Sequence, residues 1–191
     1  ANLLLCVLAA VRAPGCADTR EPFCVVALPD TQIYSANAPQ IFVGQTQWVV
    51  DHKKDMNILC VVHEGDVTND NNVPQWENAN RALSVLDGAV PYIVAPGNHD
   101  TGAAPPPRLR DMTLFNKYLP ASRFDKQPWY GGHLGEGNEN SYILLQAGGM
   151  KFLVMALEFG PRDETLAWAG KVIDAHADRR VIIVTHCYMD P

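Results

Sequence analysis

The residues best suited to chemistry in this chain are Gly97, Asn98, His99 and Asp100, which directly follow the apolar stretch 91–96. A β-branched stretch that stops at Pro-Gly is typical of a buried strand ending in a tight loop. In that loop an amide oxygen can bind a hard cation, an imidazole can serve a reacting group, and a carboxylate can orient the imidazole. One such loop is weak support for a site, because Asn-His-Asp also occurs in ordinary polar loops.

Three further apolar stretches end in residues of the same kind: Asp30 after 23–28, Asp66 after 57–62, and His186 after 181–184. A pair of divalent cations about 3.5–4 Å apart needs oxygen or nitrogen ligands and one bridging carboxylate. Together with Asn98, these residues supply the required ligand types, each on a loop just past a buried strand. Because rigid strands hold their tips in place, the repetition predicts a shared metal-binding pocket.

The order of the predicted elements explains how these strand ends could meet. In the first half, strands and helices alternate: strand 23–28, polar loop 31–39, helix 40–56, strand 57–62, helix 74–86 and strand 91–95. Such alternation favours parallel strands with right-handed crossovers, and ligands of such sheets gather at the carboxyl ends of the strands. The second half predicts a helix at 110–118, a long loop at 128–140, hairpin strands at 141–147 and 151–157, a helix at 163–177 and a strand at 181–184.

These blocks, in this order, resemble the calcineurin-like metallophosphoesterase superfamily over residues 23–191. The family's first block, Asp-x-His, corresponds to Asp30-Thr31-Gln32, and its Gly-Asp block corresponds to Gly65-Asp66. Its third and most specific block, Gly-Asn-His-Asp/Glu, is matched by residues 97–100. Its fourth, a His after a strand, is matched by His186. The Asp-Thr-Gln first block resembles a variant that is associated with secreted bacterial members.

The resemblance implies a role for each matched residue. Asp30 would be a ligand of the first metal, Asp66 the bridging carboxylate, and Asn98 and His186 ligands of the second metal. His99 would contact the phosphate or protonate the leaving oxygen. Asp100 would hold the His99 ring and favour its charged form.

The resemblance also implies a fold and an activity. The fold would be an α/β, four-layer αββα sandwich of two sheets with helices outside. The activity would be hydrolysis of a mono- or diester of phosphoric acid, with two divalent ions (Mn, Fe, Zn, Mg or Ca) and attack by a metal-bound hydroxide. The partner would be a small or macromolecular phosphate ester. For Asn69, contact with that ester and an ordinary Asn-rich turn both stay open.

Two departures from the family pattern qualify these expectations. Gln32 replaces the usual His of the first block, and three alternatives stay open: direct ligation, action through a water, and no contact with the metal. The family's last block, Gly-His-x-His, which gives one ligand to each metal, is absent. We therefore expect a domain truncated before that block and incomplete at its C-terminal side. The competing interpretation is a non-catalytic or impaired binding module that retains the fold with an incomplete metal site.

Length and composition favour one globular domain. The chain has 191 residues, of which 47% are hydrophobic and 19% charged, so it can bury a full core. Its net charge of −6 argues against a nucleic-acid-binding surface, which would normally be basic. The five cysteines do not follow a zinc or disulfide pattern.

The N-terminus carries an apolar run at 3–11 that is too short to span a bilayer and fits the core of a signal peptide. We therefore expect residues 1–20 to be a signal peptide or its remnant, residues 23–191 to be the metallophosphoesterase domain, and the protein to be exported to the periplasm, cell surface or exterior. Residues 13–16 loosely resemble a lipoprotein cleavage box, so any membrane contact would be through that signal or anchor. A stray apolar terminus is the alternative.

Overall fold

The computed structural model describes residues 21–102 and 110–187, and Cys6–Val7 as a short strand. Most of the predicted signal segment, 1–20, and its lipoprotein-like box therefore lie outside the described residues. Among the described residues, no helix has the length and apolar character needed to cross a membrane.

The first sheet has four strands in the order β1-β2-β3-β4. Its strands are β1 (Cys6–Val7), β2 (Cys24–Leu28), β3 (Ile58–His63) and β4 (Tyr92–Val94). β1 runs antiparallel to β2, whereas β2, β3 and β4 are parallel. The predicted parallel sheet is thus confirmed. Its last residues are in register: Leu28 pairs with His63, and His63 pairs with Val94.

The second sheet has the order β5-β6-β7-β8. Its strands are β5 (Tyr130–His133), β6 (Ser141–Ala147), β7 (Met150–Ala156) and β8 (Arg180–Val184). The predicted β6–β7 hairpin is present, and β8 is parallel to β7. Gly148 and Gly149 both have positive φ, as a two-residue hairpin turn requires. A loop was predicted over 128–140, and this prediction is wrong at residues 130–133, which form β5. Pairing with β6 overrides the weak strand propensity of the two glycines in β5.

In the described part of the chain, five α-helices accompany the sheets: α1 (Gln32–Asn37), α2 (Pro39–Asp51), α3 (Val73–Leu83), α4 (Thr113–Tyr118) and α5 (Asp163–Ala175). Four were predicted with small differences at their ends. α1 lies where a polar loop was predicted. It lacks an apolar stripe, and a tertiary contact supports it instead, since the Ser35 hydroxyl donates to the Val67 carbonyl (2.6 Å).

Three hydrophobic clusters define the layers. The first lies between one face of sheet one and the helices, where Val26 and Leu28 pack with Phe42 of α2 and Trp76 of α3. The second lies between the two sheets, and its buried members include Ala27, Cys60, Val62 and Ile93 from sheet one with Ile143 and Val154 from sheet two. The third places Leu153 and Met155 of β7 against Ala169 of α5. Alternate residues of each strand thus face opposite layers, and the predicted four-layer αββα sandwich is confirmed.

Cys60 has a polarisable side chain that lies in the layer between the two sheets. It is fully buried, and burial raises the pKa of its thiol to about 12. The thiol is therefore neutral near neutral pH and packs as a small hydrophobic group.

Candidate metal centre

The candidate site forms where the parallel strands of the first sheet end together. Because Leu28, His63 and Val94 are in register, the loops that follow them start at one edge of the sheet. The first two loops are joined directly, since the backbone N–H of Thr31 donates to the Asp66 carbonyl (3.1 Å). The loops that carry Asp30 and Asp66 are therefore adjacent, as predicted from the parallel topology.

His186 reaches this edge from the second sheet, two residues after β8. Its Nε2 lies 3.5 Å from Asp66 Oδ1, and its Nδ1 lies 3.8 Å from Asp30 Oδ1. Nδ1 is also 3.0 Å from the Glu64 carbonyl oxygen. A carbonyl oxygen only accepts hydrogen bonds, so Nδ1 donates, and Nε2 is the nitrogen left to face Asp66. Metal-binding histidines commonly show this arrangement, in which a backbone acceptor fixes the tautomer.

Close backbone contact at this point requires glycine. An added Cβ on Gly97 would lie 2.0 Å from Asp66 Oδ1, and one on Gly65 would lie 2.8 Å from His186 Nδ1. Gly65 has φ +105°, and Asp66 has φ +49°, an uncommon conformation for a residue with a side chain. Such backbone strain concentrates at functional sites.

Asp100 lies in a short 3-10 helix, Asn98–Asp100, and is fully buried. Its Oδ1 accepts from the backbone and hydroxyl of Thr68 (2.8 and 3.1 Å). Its Oδ2 accepts from the N–H groups of Val67 (3.0 Å) and Gly97 (2.9 Å). Burial raises the pKa of Asp100 to about 6, although the hydrogen bonds from Gly97, Val67 and Thr68 act in the opposite direction. The carboxylate thus joins the Gly-Asp loop to the Gly-Asn-His-Asp loop.

The expectation that Asp100 holds the His99 ring is wrong. All the hydrogen bonds that its carboxylate makes in the described part of the chain come from Val67, Thr68 and Gly97. The Nδ1 of His99 instead lies 2.6 Å from the Asn69 carbonyl oxygen. The physical reason is local. Asp100 is surrounded by backbone N–H donors, and its buried carboxylate accepts hydrogen bonds from these donors and not from the half-buried His99 ring.

His99 is tied to the site by its backbone as well as its ring. Its N–H donates to Asp66 Oδ1 (3.0 Å), so the His99 peptide holds the carboxylate oxygen that also faces His186. Because Nδ1 donates to Asn69, Nε2 is the nitrogen available to a bound substrate. The structure therefore brings His99 and His186 to the same oxygen of Asp66, the first through a hydrogen bond and the second at 3.5 Å.

The two amide residues predicted as ligands occupy the same loops. The Oε1 atom of Gln32, in the first residue of α1, is buried and has no hydrogen-bond partner among the described residues. An unpartnered buried oxygen is costly unless it binds something else, and it fits a cation. Asn98 follows Gly97 and precedes His99, which contacts Asp66.

Oxygen and imidazole donors of this kind suit hard divalent cations, so the residues present fit a metal ion. Within residues 21–102 and 110–187, however, no three His, Cys, Asp or Glu side chains form a group that could hold a metal ion by themselves. The amide oxygens would have to take part, and the roles of Asp30, Gln32, Asp66, Asn98 and His186 as ligands stay predictions.

His63 is a buried residue of this edge that the sequence analysis missed. Its Nδ1 accepts from the Gly65 N–H (3.2 Å), and its Nε2 lies 3.0 Å from the Thr31 hydroxyl. The Thr31 hydroxyl donates onward to the Val67 carbonyl (3.3 Å). Burial, with the nearby His186, lowers the pKa of His63 to about 3, so the ring is neutral and connects the first two loops. The pattern His-x-Gly-Asp at the strand end was its only signal.

Glu158, which follows a strand as predicted, supports the loop of His186. Its carbonyl accepts from the Thr185 hydroxyl (3.2 Å), and its buried carboxylate pairs with Arg110 (3.0 Å) and Arg162 (2.9 Å). The next residue, Phe159, lies against the His186 ring, with centroids 6.0 Å apart. A lone Glu after a strand gave no sequence signal that it would be buried between two arginines.

The chain is similar to known proteins of one sequence family. The sequence model of the family described as calcineurin-like phosphoesterase matches residues 25–190. A Bacillus subtilis (strain 168) protein, described as uncharacterized protein YvnB, is 37% identical over 172 residues, which is 89% of this chain. The match spans only 13% of that relative's length. A solved structure of the purple acid phosphatase PPD1 from yellow lupin (Lupinus luteus) is 15% identical, with a TM-score of 0.48. That alignment covers 85% of this chain and 32% of the phosphatase.

Proposed function

Because the chain belongs to the calcineurin-like phosphoesterase family, we propose that it hydrolyses phosphate esters with two divalent metal ions at the shared edge of its sheets. The observation that carries the proposal is the position of His186. Its two ring nitrogens lie 3.5 and 3.8 Å from the carboxylates of Asp66 and Asp30, which come from the other sheet. Three loops from two sheets thus present cation ligands to one point.

The residues that would hold the ions are those predicted from the motifs: Asp30, Gln32, Asp66, Asn98 and His186. When bound, divalent ions in such a site neutralise the phosphate oxygens and lower the pKa of water. Asp66 would be the ligand shared by the ions, and its fixed position supports this role, because the His99 N–H holds one of its carboxylate oxygens and the Thr31 N–H holds its carbonyl. The unpartnered Gln32 oxygen supports direct ligation over the other two alternatives.

His99 would act on the substrate as a general acid. Its Nδ1 donates to the Asn69 carbonyl, so Nε2 of the doubly protonated ring is the atom that would give a proton to the departing ester oxygen and leave the ring neutral. Such proton transfer contributes about 10²–10⁴-fold to a rate. Asp100 would act by holding the loop that carries His99, through Gly97, Val67 and Thr68.

The second candidate function is a binding module with an impaired site. One observation favours it: no three His, Cys, Asp or Glu side chains of the described residues are grouped for a metal. Metal analysis separates the two functions, since the enzyme should bind about two ions per chain and the impaired module one or none.

Activity on model esters tests the proposal directly. The full-length natural protein would be assayed with p-nitrophenyl phosphate and bis-p-nitrophenyl phosphate, each with Mn²⁺, Zn²⁺, Mg²⁺, Ca²⁺ or Fe²⁺. Turnover that requires a divalent metal is expected. Absence of turnover with every metal, from protein that binds metal and is folded, would leave the binding module as the better account.

We further propose that the protein is exported and that its substrate is therefore outside the cytoplasm. The apolar run 3–11 and the Asp-Thr-Gln block support this proposal, whereas the pairing of Cys6–Val7 with β2 requires that this part of the run stay in the folded chain. Fractionation of producing cells tests it, and recovery of all the protein in the cytoplasm would oppose it.

A further inference from the structure

We infer that Gln75 is a positioning residue for His99, acting through the peptide unit between Asn69 and Asp70. The inference rests on the proposed function, because it concerns how the acid of that reaction is held. Gln75 lies in the first turn of α3 and is almost fully buried, at 7% exposure. It touches neither His99 nor a predicted metal ligand through any hydrogen bond of the described residues.

Both the oxygen and the nitrogen of the Gln75 side-chain amide make hydrogen bonds to one loop. Its Oε1 accepts from the backbone N–H groups of Asn69 (2.9 Å) and Asp70 (2.8 Å). Its Nε2 donates to Asp70 Oδ2 (2.7 Å). Three hydrogen bonds from one buried amide fix two consecutive peptide groups, which leaves the loop little freedom to rotate.

One of those peptide groups is the group that orients His99. The N–H of Asp70 and the C=O of Asn69 belong to the same planar unit. Gln75 binds this unit at its N–H, and His99 Nδ1 binds it at its carbonyl, 2.6 Å away. Holding the N–H therefore sets the direction of the carbonyl, and bonds at both ends of one peptide strengthen each other.

The base of this arrangement is rigid. The Gln75 N–H donates to the Asn72 side chain at the start of α3 (3.1 Å). The next residue, Trp76, is fully buried in the core beneath the helix, and its indole N–H donates to Asn71 Oδ1 (2.7 Å). The loop 69–72 is thus clamped to α3 on one side and to the His99 ring on the other. Without Gln75, the carbonyl can turn away and the ring loses the acceptor that selects Nε2 for the substrate.

Substitution of Gln75 by Met tests this role, because Met keeps the side-chain length and removes all three hydrogen bonds. Gln45→Met is the matched control: Gln45 is also a buried glutamine, on α2, and its Oε1 has no partner among the described residues. The double variant Gln75→Glu, Asp70→Asn is the rescue. The amide and the carboxylate change places, so the new amide at position 70 donates to the new carboxylate at position 75. The other carboxylate oxygen at position 75 still accepts from the two backbone N–H groups of the loop.

The kinetic readout is the dependence of turnover on the leaving group, measured on the full-length protein. Loss of an oriented acid should lower kcat for phenyl phosphate about tenfold or more, and kcat for p-nitrophenyl phosphate less than threefold, with KM unchanged. Gln45→Met should leave both values unchanged, and the double variant should recover most of the loss. Equal losses on both esters would overturn the inference, because they would indicate a general structural defect.

A crystal structure of the Gln75→Met protein gives a readout that does not depend on activity. We expect the Asn69 carbonyl to turn away and the His99 Nδ1 to Asn69 O distance to exceed hydrogen-bonding range. If that bond is retained, the inference fails even if the protein is an active phosphoesterase. If the bond is lost in a protein that hydrolyses no ester, the positioning role stands and the proposed function fails.

Discussion

The Nδ1 of His99 lies 2.6 Å from the carbonyl oxygen of Asn69. This contact assigns the orientation of the histidine to the loop after β3, and not to the neighbouring Asp100. It leaves Nε2 for the substrate, and it makes the acid of the proposed reaction depend on backbone geometry. A backbone acceptor fixes the ring without adding a second negative charge next to Asp66.

Removal of the His99 ring should separate catalysis from metal binding. We expect His99→Gln to lower kcat about 10²–10⁴-fold, because the leaving oxygen loses its proton donor. Metal content should stay the same, since His99 contacts Asp66 through its backbone N–H, which the variant keeps. Steady-state kinetics with metal analysis checks this. The control is His176→Gln, at a ring that lies against Tyr142; equal loss in both variants would contradict the role of His99.

A methyl group on the Cα atom of Gly97 should displace the Asp66 carboxylate and so disrupt the site. Its carbon would lie 2.0 Å from Asp66 Oδ1, so the carboxylate must move. We expect Gly97→Ala to weaken metal binding about 10–100-fold, as loss of support around a ligand typically does. Calorimetric metal titration measures the effect.

Gly44→Ala provides the control for that substitution. Gly44 lies inside α2 with nothing within 4 Å of an added Cβ. Here we expect unchanged metal affinity and a free energy of unfolding higher by about 0.4–1 kcal/mol. Unchanged metal affinity in Gly97→Ala as well would refute the close contact.

Replacement of Asp100 should affect stability more than a typical surface substitution. In Asp100→Asn one carboxylate oxygen becomes an NH₂ group that faces backbone N–H donors, and these lose their acceptor. We expect the free energy of unfolding to fall by about 3 kcal/mol, measured by urea denaturation. Asp51→Asn, at an exposed carboxylate that accepts from Gln47, should change it by less than about 0.5 kcal/mol. A similar small change in both would show that the Asp100 network carries little free energy.

The buried His63 should make stability depend on pH. The pKa of His63 is lowered from 6.5 to about 3 on folding. Between these values the unfolded chain binds more protons than the folded chain, so stability rises with pH over this range and is lost as the pH falls. The contribution of one group is at most about 1.4 kcal/mol per pH unit.

The variant His63→Gln isolates this contribution, because other groups titrate in both proteins. Urea denaturation with a chelator present would give the difference in free energy of unfolding between wild type and variant. We expect that difference to change in favour of the wild type as the pH rises from 4 to 6, and to be constant above pH 7. A difference that is independent of pH would show that folding does not lower the pKa of His63.

The sequence predicted the framework of the fold well because its signals were strong and local. The apolar stretches before Asp30, Asp66 and Asn98 identified three strands, and alternation with helices predicted their parallel order. The hairpin at Gly148 and Gly149 followed from turn chemistry alone.

The remainder depended on tertiary contacts that no sequence pattern contains. Helix α1 is supported by Ser35 bonding to Val67. The partners of Asp100 are backbone N–H groups from two loops, and the partner of His99 is a backbone carbonyl, so residue types gave no signal for either. His63 was missed, and the burial of Glu158 between two arginines was not predicted, because burial of a charged or titratable side chain cannot be recognised from a single position.

Calorimetric titration of Mn²⁺ into metal-free, full-length protein measures whether loops from the two sheets form one metal-binding pocket. We expect about two ions per chain for the wild type, and strongly weakened binding for Asp66→Asn, since Asp66 contacts both His186 and His99. Asp55→Asn, at an exposed residue, should bind as the wild type does. No binding by the wild type, or equal binding by the wild type and Asp66→Asn, would contradict the account.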